Sequence, residues 1–369
     1  MVNGPSLASV SGAMSDHEEL RGKLRWRGPA PVEGRFLSVF MDQNNRCNLK
    51  CRMCGFSDAR VDSLAKYDMP RWLFDAIAFQ LFPRANHVVL SLMTEPFMTR
   101  DFPDRLGMVR LMGVPFSDII TNGTLLGERA IEKVLEARIT RLTFSIDGGT
   151  RETFEGIRVG ARFDVVMRNL RLFLAMRKER RGETRLRINH VLSEQNIDRF
   201  DDFMDLVATF RPDEFAVRTV SRMSDAEIQE PHDPEFWAKV AAVKKEMNAF
   251  AARIGIPHSG YLRETDAVID LLDEAGERMI CRTPWDTLAI HPTGDVFPCM
   301  AWSRPPVGNL ATQSFEEIWN GAALAELRRE FESVRPGVDC LNCTIRRDAG
   351  DERDDFFYRK LAAPAASRN

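Results

Sequence analysis

The sequence predicts an α/β fold built on a parallel β-sheet, followed by a small carboxyl-terminal domain. From residue 35 onward, apolar runs of strand length alternate with amphipathic helical stretches six times. Such alternation is typical of a parallel sheet, either an open doubly wound sheet or a partial barrel. The seven cysteines fall into two sets separated by more than two hundred residues, which indicates a second site built apart from the first.

Composition and charge exclude several classes of protein. The chain has 369 residues, of which 44% are apolar and 28% charged, and its formal net charge is -3. This balance fits a globular protein of two or three domains and offers no basic field for nucleic acid or a membrane surface. No apolar run reaches the length of a membrane span, and the first residues lack the pattern of a signal peptide. We therefore expect a cytoplasmic protein with reduced thiols.

Six strand candidates follow one another along the first part of the chain. They are RFLSVFMD at 35–42, HVVLSLM at 87–93, SDIITNG at 117–123, RLTFSID at 141–147, RLRINHV at 185–191 and EFAVRTV at 214–220. The stretches between them have helical periodicity; for example, Phe200, Phe203 and Val207 recur at helical spacing. In both parallel architectures, ligands bind at the carboxyl ends of the strands.

The first cysteine set lies on the loop that follows the first strand. Cys47, Cys51 and Cys54 form a CxxxCxxC motif. Three thiolates can hold three irons of a 4Fe–4S cluster and leave the fourth iron without a protein ligand. A structural zinc site needs a fourth ligand, and no nearby histidine or cysteine supplies one. The motif favours a cluster with one iron free to bind a small molecule.

The second cysteine set lies near the carboxyl terminus. It contains Cys281, Cys299, Cys340 and Cys343. A hairpin turning at residues 292–295 is predicted between the first two, and a helix with a capping box formed by Ser314 and Glu317 precedes the last two. These elements would bring four thiolates to one point. Taken alone, the set suits a zinc ribbon as well as an iron–sulfur cluster.

In combination the motifs resemble the radical S-adenosylmethionine (radical SAM) superfamily, over roughly residues 36–350. The resemblance implies a partial (β/α)6 TIM-like barrel. It also implies that Cys47, Cys51 and Cys54 ligate a 4Fe–4S cluster whose open iron binds the amino and carboxylate groups of SAM. Reduction of that cluster cleaves SAM to a 5′-deoxyadenosyl radical. The second cysteine set resembles the SPASM and Twitch auxiliary-cluster domains, and four cysteines match the single 4Fe–4S cluster of the Twitch form.

The resemblance divides the chain into five parts. They are an amino-terminal extension at 1–35, a radical SAM partial barrel at 36–222, a helical linker at 223–270, a SPASM/Twitch-type domain at 271–350 and a flexible tail at 351–369.

Several residues at strand ends match cofactor-binding positions of the family. Glu95 and Pro96 match the end of the family's Gly-Gly-Glu-Pro motif, whose glutamate meets the SAM ammonium group. Met93 and Thr94 replace the two glycines, so side chains narrow the approach of the backbone to the cofactor. Met53 stands where the family commonly has an aromatic residue beside the adenine.

Three further polar residues follow the third and fourth predicted strands. Asn122 belongs to a TNG segment, and Ser145 and Asp147 belong to a SIDG segment. The resemblance implies that they contact the ribose or carboxylate of SAM. Each segment alone is equally well explained as a turn that ends a strand.

If three cysteines ligate the first cluster and four ligate the second, no cysteine of the chain keeps a free thiol. The second cluster then has no open iron to bind a substrate and is suited to electron transfer. We therefore expect a radical SAM oxidoreductase that dehydrogenates a sugar-like or other secondary-metabolite substrate. A flavodoxin- or ferredoxin-type protein would donate the electron. The alternative is a peptide maturase, and an alternative of another class is a non-catalytic zinc-binding scaffold.

Candidate catalytic residues follow from position only. His190 lies in the fifth strand, Arg218 ends the sixth, and Tyr261 lies on a loop before the auxiliary domain. The alternatives are that His190 is a histidine of the core and that Arg218 pairs with a nearby carboxylate.

Overall fold

A computed structural model describes residues 34–220, 234–259, 283–300, 302 and 304–332. Most of the predicted amino-terminal extension and all of the tail lie outside these residues, as do Tyr261, Cys281, Cys340 and Cys343.

The described residues form twelve strands. They are β1 (Leu37–Met41), β2 (Lys50–Cys51), β3 (Ala85–Val89), β4 (Phe116–Thr121), β5 (Arg141–Ser145), β6 (Arg158–Val159), β7 (Arg185–Leu192), β8 (Glu214–Thr219), β9 (His258–Ser259), β10 (Thr287–Ile290), β11 (Asp295–Phe297) and β12 (Gly308–Asn309). All six predicted strands are present, as β1, β3, β4, β5, β7 and β8.

The main sheet has the order β12-β11-β10-β1-β3-β4-β5-β7-β8-β9. Its six central strands lie side by side in chain order, and every pairing among them is parallel. A doubly wound sheet reverses its strand order at a switch point, and no such reversal occurs among these six strands. The predicted partial barrel is therefore confirmed.

Helices connect the strands. They are α1 (Ala59–Asp62), α2 (Arg71–Leu81), α3 (Phe102–Arg105), α4 (Gly107–Leu111), α5 (Glu128–Glu136), α6 (Arg151–Ile157), α7 (Phe163–Glu179), α8 (Phe200–Phe210), α9 (Pro234–Ile254), α10 (Thr283–Asp286), α11 (Phe315–Trp319) and α12 (Ala322–Glu332). Among the described segments, none of the helices is long and apolar enough to cross a membrane.

The two faces of the sheet differ in burial. The outer face packs against helices; on β7, for example, Leu186 and Ile188 are fully buried. We call the other face the inner face. Every second residue of each strand points to this face, and one such residue per strand is Phe40, His87, Asp118, Thr143, Arg187 and Ala216. Along β7 and β8 every inner position is at least partly exposed, so solvent reaches the concave side of the sheet.

The auxiliary hairpin continues the main sheet. Strand β10 pairs in parallel with β1, with Ile290 opposite Met41, and β11 returns antiparallel to β10. Gly294, in the turn, has a φ of 89°, a conformation that favours glycine. The predicted hairpin is confirmed, and so is the capping box of Ser314 and Glu317 at the start of α11.

Candidate active site

The loop that carries the first three cysteines crosses the carboxyl edge of the sheet. A short antiparallel pairing fixes it, because Cys51 of β2 lies opposite Arg158 of β6. The Arg52 N–H also donates to the Ile157 carbonyl at 2.9 Å. A turn closed by the Cys54 N–H and the Cys51 carbonyl, at 2.9 Å, places two of the thiols on one bend. The cysteines are thus held by the backbone before any ligand binds.

The three thiols lie in an environment that disfavours bare thiolates. Burial raises the pKa of Cys51 to about 12 and also raises the pKa values of Cys47 and Cys54. The Glu95 carboxylate and the other two thiolates raise the pKa of Cys47 further. Metal ligation requires thiolates, and a bound iron–sulfur cluster supplies the positive charge that stabilises them.

The three thiols form a donor set that suits an iron–sulfur cluster. In the part of the chain that the structure describes, no three histidine, cysteine, aspartate or glutamate side chains converge to hold a single metal ion. Thiols that ligate separate irons of one cluster need not converge in this way, whereas the ligands of a tetrahedral zinc ion must. The arrangement fits a 4Fe–4S cluster.

A buried ion pair lies beside the cysteine loop. Nη1 of Arg158 is 3.9 Å from the Cys51 sulfur, and Nη2 is 2.7 Å from Oδ2 of Asp147. The other carboxylate oxygen of Asp147 accepts the Val191 N–H at 2.8 Å, and the residue is fully buried. Asp147 is a residue that the sequence predicted for the site, whereas Arg158 was not predicted. The pairing of β2 with β6 places this arginine next to Cys51. No local sequence motif predicts that pairing.

Glu95 is buried at the ends of β3 and β4. Its Oε1 accepts the Thr121 hydroxyl and its Oε2 accepts the Asn122 N–H, both at 2.8 Å. Burial raises the pKa of Glu95 to about 7. The Asn122 amide nitrogen in turn lies 3.8 Å from the sulfur of Cys47. The structure therefore brings together Glu95, Asn122 and the first cysteine.

The two residues that replace the family's glycines contact a carboxylate of the protein itself. Buried Asp42 accepts the N–H groups of Leu92, Met93 and Thr94 at 2.9–3.2 Å, and the Thr94 hydroxyl at 2.8 Å. These bonds draw the backbone into a turn. They explain why β3 ends at Val89 although the apolar run predicted a strand through Met93.

The remaining predicted cofactor residues lie near this edge. Met53 is buried between two of the cysteines, and Pro96 is buried at the start of a single helical turn. Ser145 ends β5 on the inner face and is partly exposed. Each of these three residues therefore lies on, or next to, a loop at the carboxyl edge of the sheet.

The predicted catalytic residues fall in different places. His190 lies on the outer face, where Nδ1 is 3.0 Å from the Ile146 carbonyl and the ring centroid is 4.2 Å from that of Phe203. Burial lowers its pKa to about 4. These contacts match the alternative of a core histidine. Arg218 lies on the inner face and is exposed, and its charge acts to lower the pKa of Cys54.

Of the second cysteine set, the structure describes Cys299 alone. It follows β11, which runs back toward the amino-terminal edge of the sheet, and it is partly buried against the core.

Comparisons with known proteins agree with this site. The radical SAM superfamily matches residues 43–207, and the SPASM iron–sulfur cluster-binding domain matches residues 281–344. The first range includes all three cysteines of the CxxxCxxC motif, and the second includes the other four. Together the two ranges cover more than half of the chain.

Individual proteins resemble the chain along most of its length. The AdoMet-dependent heme synthase of Methanosarcina barkeri is 24% identical over 265 residues, covering 65% of this chain and 73% of the relative. The mycofactocin maturase MftC of Mycolicibacterium smegmatis is 22% identical over 314 residues, covering 80% and 72%. The structure of Streptococcus suis SuiB bound to the precursor peptide SuiA has a TM-score of 0.65 at 15% identity, covering 94% and 76%; at this identity it shows the fold alone. The chain therefore belongs to the radical SAM superfamily and carries a carboxyl-terminal SPASM-type domain, with SAM and 4Fe–4S clusters as its cofactors.

Proposed function

We propose that this enzyme oxidises a peptide by abstraction of a hydrogen atom. The observation that carries the proposal is the position of the cysteine loop, Glu95 and the Arg158–Asp147 pair along one edge of a sheet whose inner face is open to solvent. A substrate on the inner face would lie next to a cofactor held at that edge.

Different residues of the chain would hold different parts of the cofactors. Cys47, Cys51 and Cys54 would ligate the SAM-binding cluster, and Glu95 offers a carboxylate to the SAM ammonium group. Arg158 offers a buried cation to the SAM carboxylate, and Asp147 orients it through the 2.7 Å ion pair. When bound, the clusters would supply the electron that cleaves SAM and an acceptor for an electron from the substrate.

The four remaining cysteines support a single auxiliary 4Fe–4S cluster of the Twitch type. Cys281, Cys299, Cys340 and Cys343 all fall within the matched SPASM range. One cluster with four protein ligands has no open iron. Its use would be electron transfer, which supports net oxidation of the substrate, with a flavodoxin- or ferredoxin-type protein donating the electron that starts the reaction.

One of the relatives named above is a maturase and one of the solved structures holds a precursor peptide, which supports a peptide substrate. The mycofactocin maturase matches most of this chain in sequence, and peptide modification was the alternative in the sequence analysis. Dehydrogenation of a sugar-like substrate is the second candidate. It is favoured by Ser145 and Asn189, neighbours on the inner face whose polar groups suit substrate hydroxyls.

The experiment compares the two substrate classes. Anaerobically reconstituted enzyme would be incubated with SAM, a reductant and either short peptides encoded beside its gene or a panel of aminocyclitols and sugars. We expect 5′-deoxyadenosine to form together with a peptide lighter by two hydrogen atoms. If a sugar loses two hydrogen atoms and no peptide does, the second candidate replaces the first.

A further inference from the structure

The middle cysteine of the CxxxCxxC motif has a charged group beside its sulfur. Backbone N–H groups two residues further along the loop donate to the sulfurs of Cys47 and Cys54, so the local fold of the loop supplies these donors. At Cys51, Nη1 of Arg158 lies 3.9 Å from the sulfur, although the two residues are 107 positions apart in the sequence. A side chain from a distant segment can therefore act on this thiol.

The backbone fixes the contact between Arg158 and Cys51. The two residues lie opposite each other in the antiparallel pairing of β2 with β6, and the side chains of such a pair lie on the same face. Beside this pair, the Ile157 carbonyl accepts the Arg52 N–H at 2.9 Å. Both Cys51 and Arg158 are buried, so water and salt screen the interaction of the guanidinium with the sulfur only weakly.

Asp147 holds the other end of the guanidinium. Its Oδ2 lies 2.7 Å from Nη2 of Arg158, and its Oδ1 accepts the Val191 N–H at 2.8 Å. The second bond ties the carboxylate to β7, so Asp147 is fixed independently of the cysteine loop. The positive charge of Arg158 lowers the pKa of Cys51 more than the negative charge of Asp147 raises it. The net effect of the pair on the sulfur is therefore that of a cation.

A buried cation beside a ligand sulfur changes how readily an iron–sulfur cluster takes up an electron. Charge and hydrogen bonds to the sulfurs are among the features that set the reduction potential of a cluster. Reduction adds one negative charge, so a nearby cation stabilises the reduced form and raises the potential. Arg158 offers the Cys51 sulfur both a positive charge and an N–H donor.

We propose that Arg158, anchored by Asp147, raises the reduction potential of the SAM-binding cluster through Cys51. The proposal rests on the proposed function, in which Cys51 is one of the three ligands of that cluster. In the step concerned, one electron passes from the donor protein to the cluster, and no bond forms or breaks. This role is separate from the contact with the SAM carboxylate, because Nη1 lies beside the Cys51 sulfur before SAM binds.

The test measures the reduction potential of the reconstituted enzyme without SAM, by redox titration followed by EPR spectroscopy. A variant with alanine at all three cysteines of the motif identifies the signal of the auxiliary cluster, which is subtracted. Asp147→Asn/Arg158→Met removes both members of the buried pair and so leaves no unpaired charge in the core. At the wild-type midpoint, we expect the ratio of reduced to oxidised cluster to be about tenfold lower in this double variant, which corresponds to about 59 mV for a one-electron couple.

A single variant should change the potential in the opposite direction. Asp147→Asn leaves the positive charge of Arg158 unbalanced, so the ratio of reduced to oxidised cluster should exceed that of the wild type. A merely structural role of the pair would not produce shifts of opposite sign. The matched control is Asp104→Asn/Arg129→Met, which removes an exposed ion pair at 3.1 Å and should leave the ratio unchanged.

The double variant decides the question by itself if Asp147→Asn does not fold. A wild-type potential in the double variant would refute the tuning role, and so would an equal fall in the matched control. A folded Asp147→Asn variant whose potential falls would also refute it. Iron content measured on the same samples ensures that equally loaded proteins are compared.

The same samples separate this inference from the proposed function. Oxidation of a peptide by the wild type, together with an unchanged potential in the double variant, would refute the tuning role and leave the proposed function standing. A lowered potential in the double variant, together with a wild type that oxidises no peptide, would do the reverse.

Discussion

Replacing Asp147 with asparagine should strongly destabilise the protein, because it leaves a buried cation without its partner. The Asp147 side chain is fully buried, that of Arg158 is 9% exposed, and the two are joined at 2.7 Å. Asparagine can still accept the Val191 N–H, so the change removes charge and little else. Loss of one member of a buried ion pair costs about 3–5 kcal/mol.

The free energy of unfolding would be measured by urea denaturation of the reduced apoprotein, followed by circular dichroism, in the variant and two controls. Asp104→Asn removes one partner of an exposed pair, with Arg129 at 3.1 Å, and should cost at most about 1 kcal/mol. The double variant Asp147→Asn/Arg158→Met removes both buried charges and should recover most of the loss. An Asp147→Asn variant as stable as Asp104→Asn would refute the reasoning.

Three further predictions follow from the site and its surroundings. Glu95→Gln should weaken SAM binding about tenfold or more, because an amide group replaces the carboxylate that we propose for the SAM ammonium group and that accepts the Asn122 N–H; unchanged affinity in calorimetry would contradict the proposed role. The contribution of His190 to stability should fall by up to about 1.4 kcal/mol per pH unit as the pH drops from about 6.5 to about 4, because burial lowers the pKa of His190 to about 4 and the unfolded chain takes up the proton first. Buried His87, whose pKa is also lowered to about 4, adds to this slope, and Glu95, whose pKa is raised to about 7, opposes it. His190→Leu should therefore lower the slope of the free energy of unfolding against pH by the share of His190, and an unchanged slope would contradict this. Gly149→Ala should destabilise the protein by about 1–3 kcal/mol or more, because the added carbon would lie 1.9 Å from the Asp202 carbonyl oxygen; a melting temperature equal to that of the wild type would contradict this close packing.

The sequence predicted the elements whose signals are local. The six central strands were recognised from short apolar runs, and the helix after Ser314 was recognised from its capping box. The position of His190 could also have been read more fully. It lies two residues after Ile188 and four residues after Leu186 on the same strand, and both of these residues are fully buried. Alternate residues of a strand point to the same side, so His190 is expected on the outer face as well.

Features that depend on distant pairings were not predictable from one sequence. Arg158 reaches Cys51 through two-residue strands whose register no motif specifies. The role of Asp42 depends on a turn about fifty residues later. Strand β10 of the auxiliary hairpin pairs with β1, at the other end of the described chain, and no motif specifies this pairing. Each of these contacts joins two segments that are far apart in the sequence. The local pattern of one segment carries no information about the segment that it packs against.

The central claim is that Cys47, Cys51 and Cys54 hold a cluster that cleaves SAM. The direct measurement is 5′-deoxyadenosine formation by anaerobically reconstituted protein supplied with SAM and dithionite, with iron content determined on the same samples. The wild type should contain about eight irons and form 5′-deoxyadenosine, whereas a triple alanine variant at these cysteines should lose about four irons and all of the product. An iron-loaded wild type that forms no 5′-deoxyadenosine, or a triple variant that forms as much as the wild type, would contradict the account.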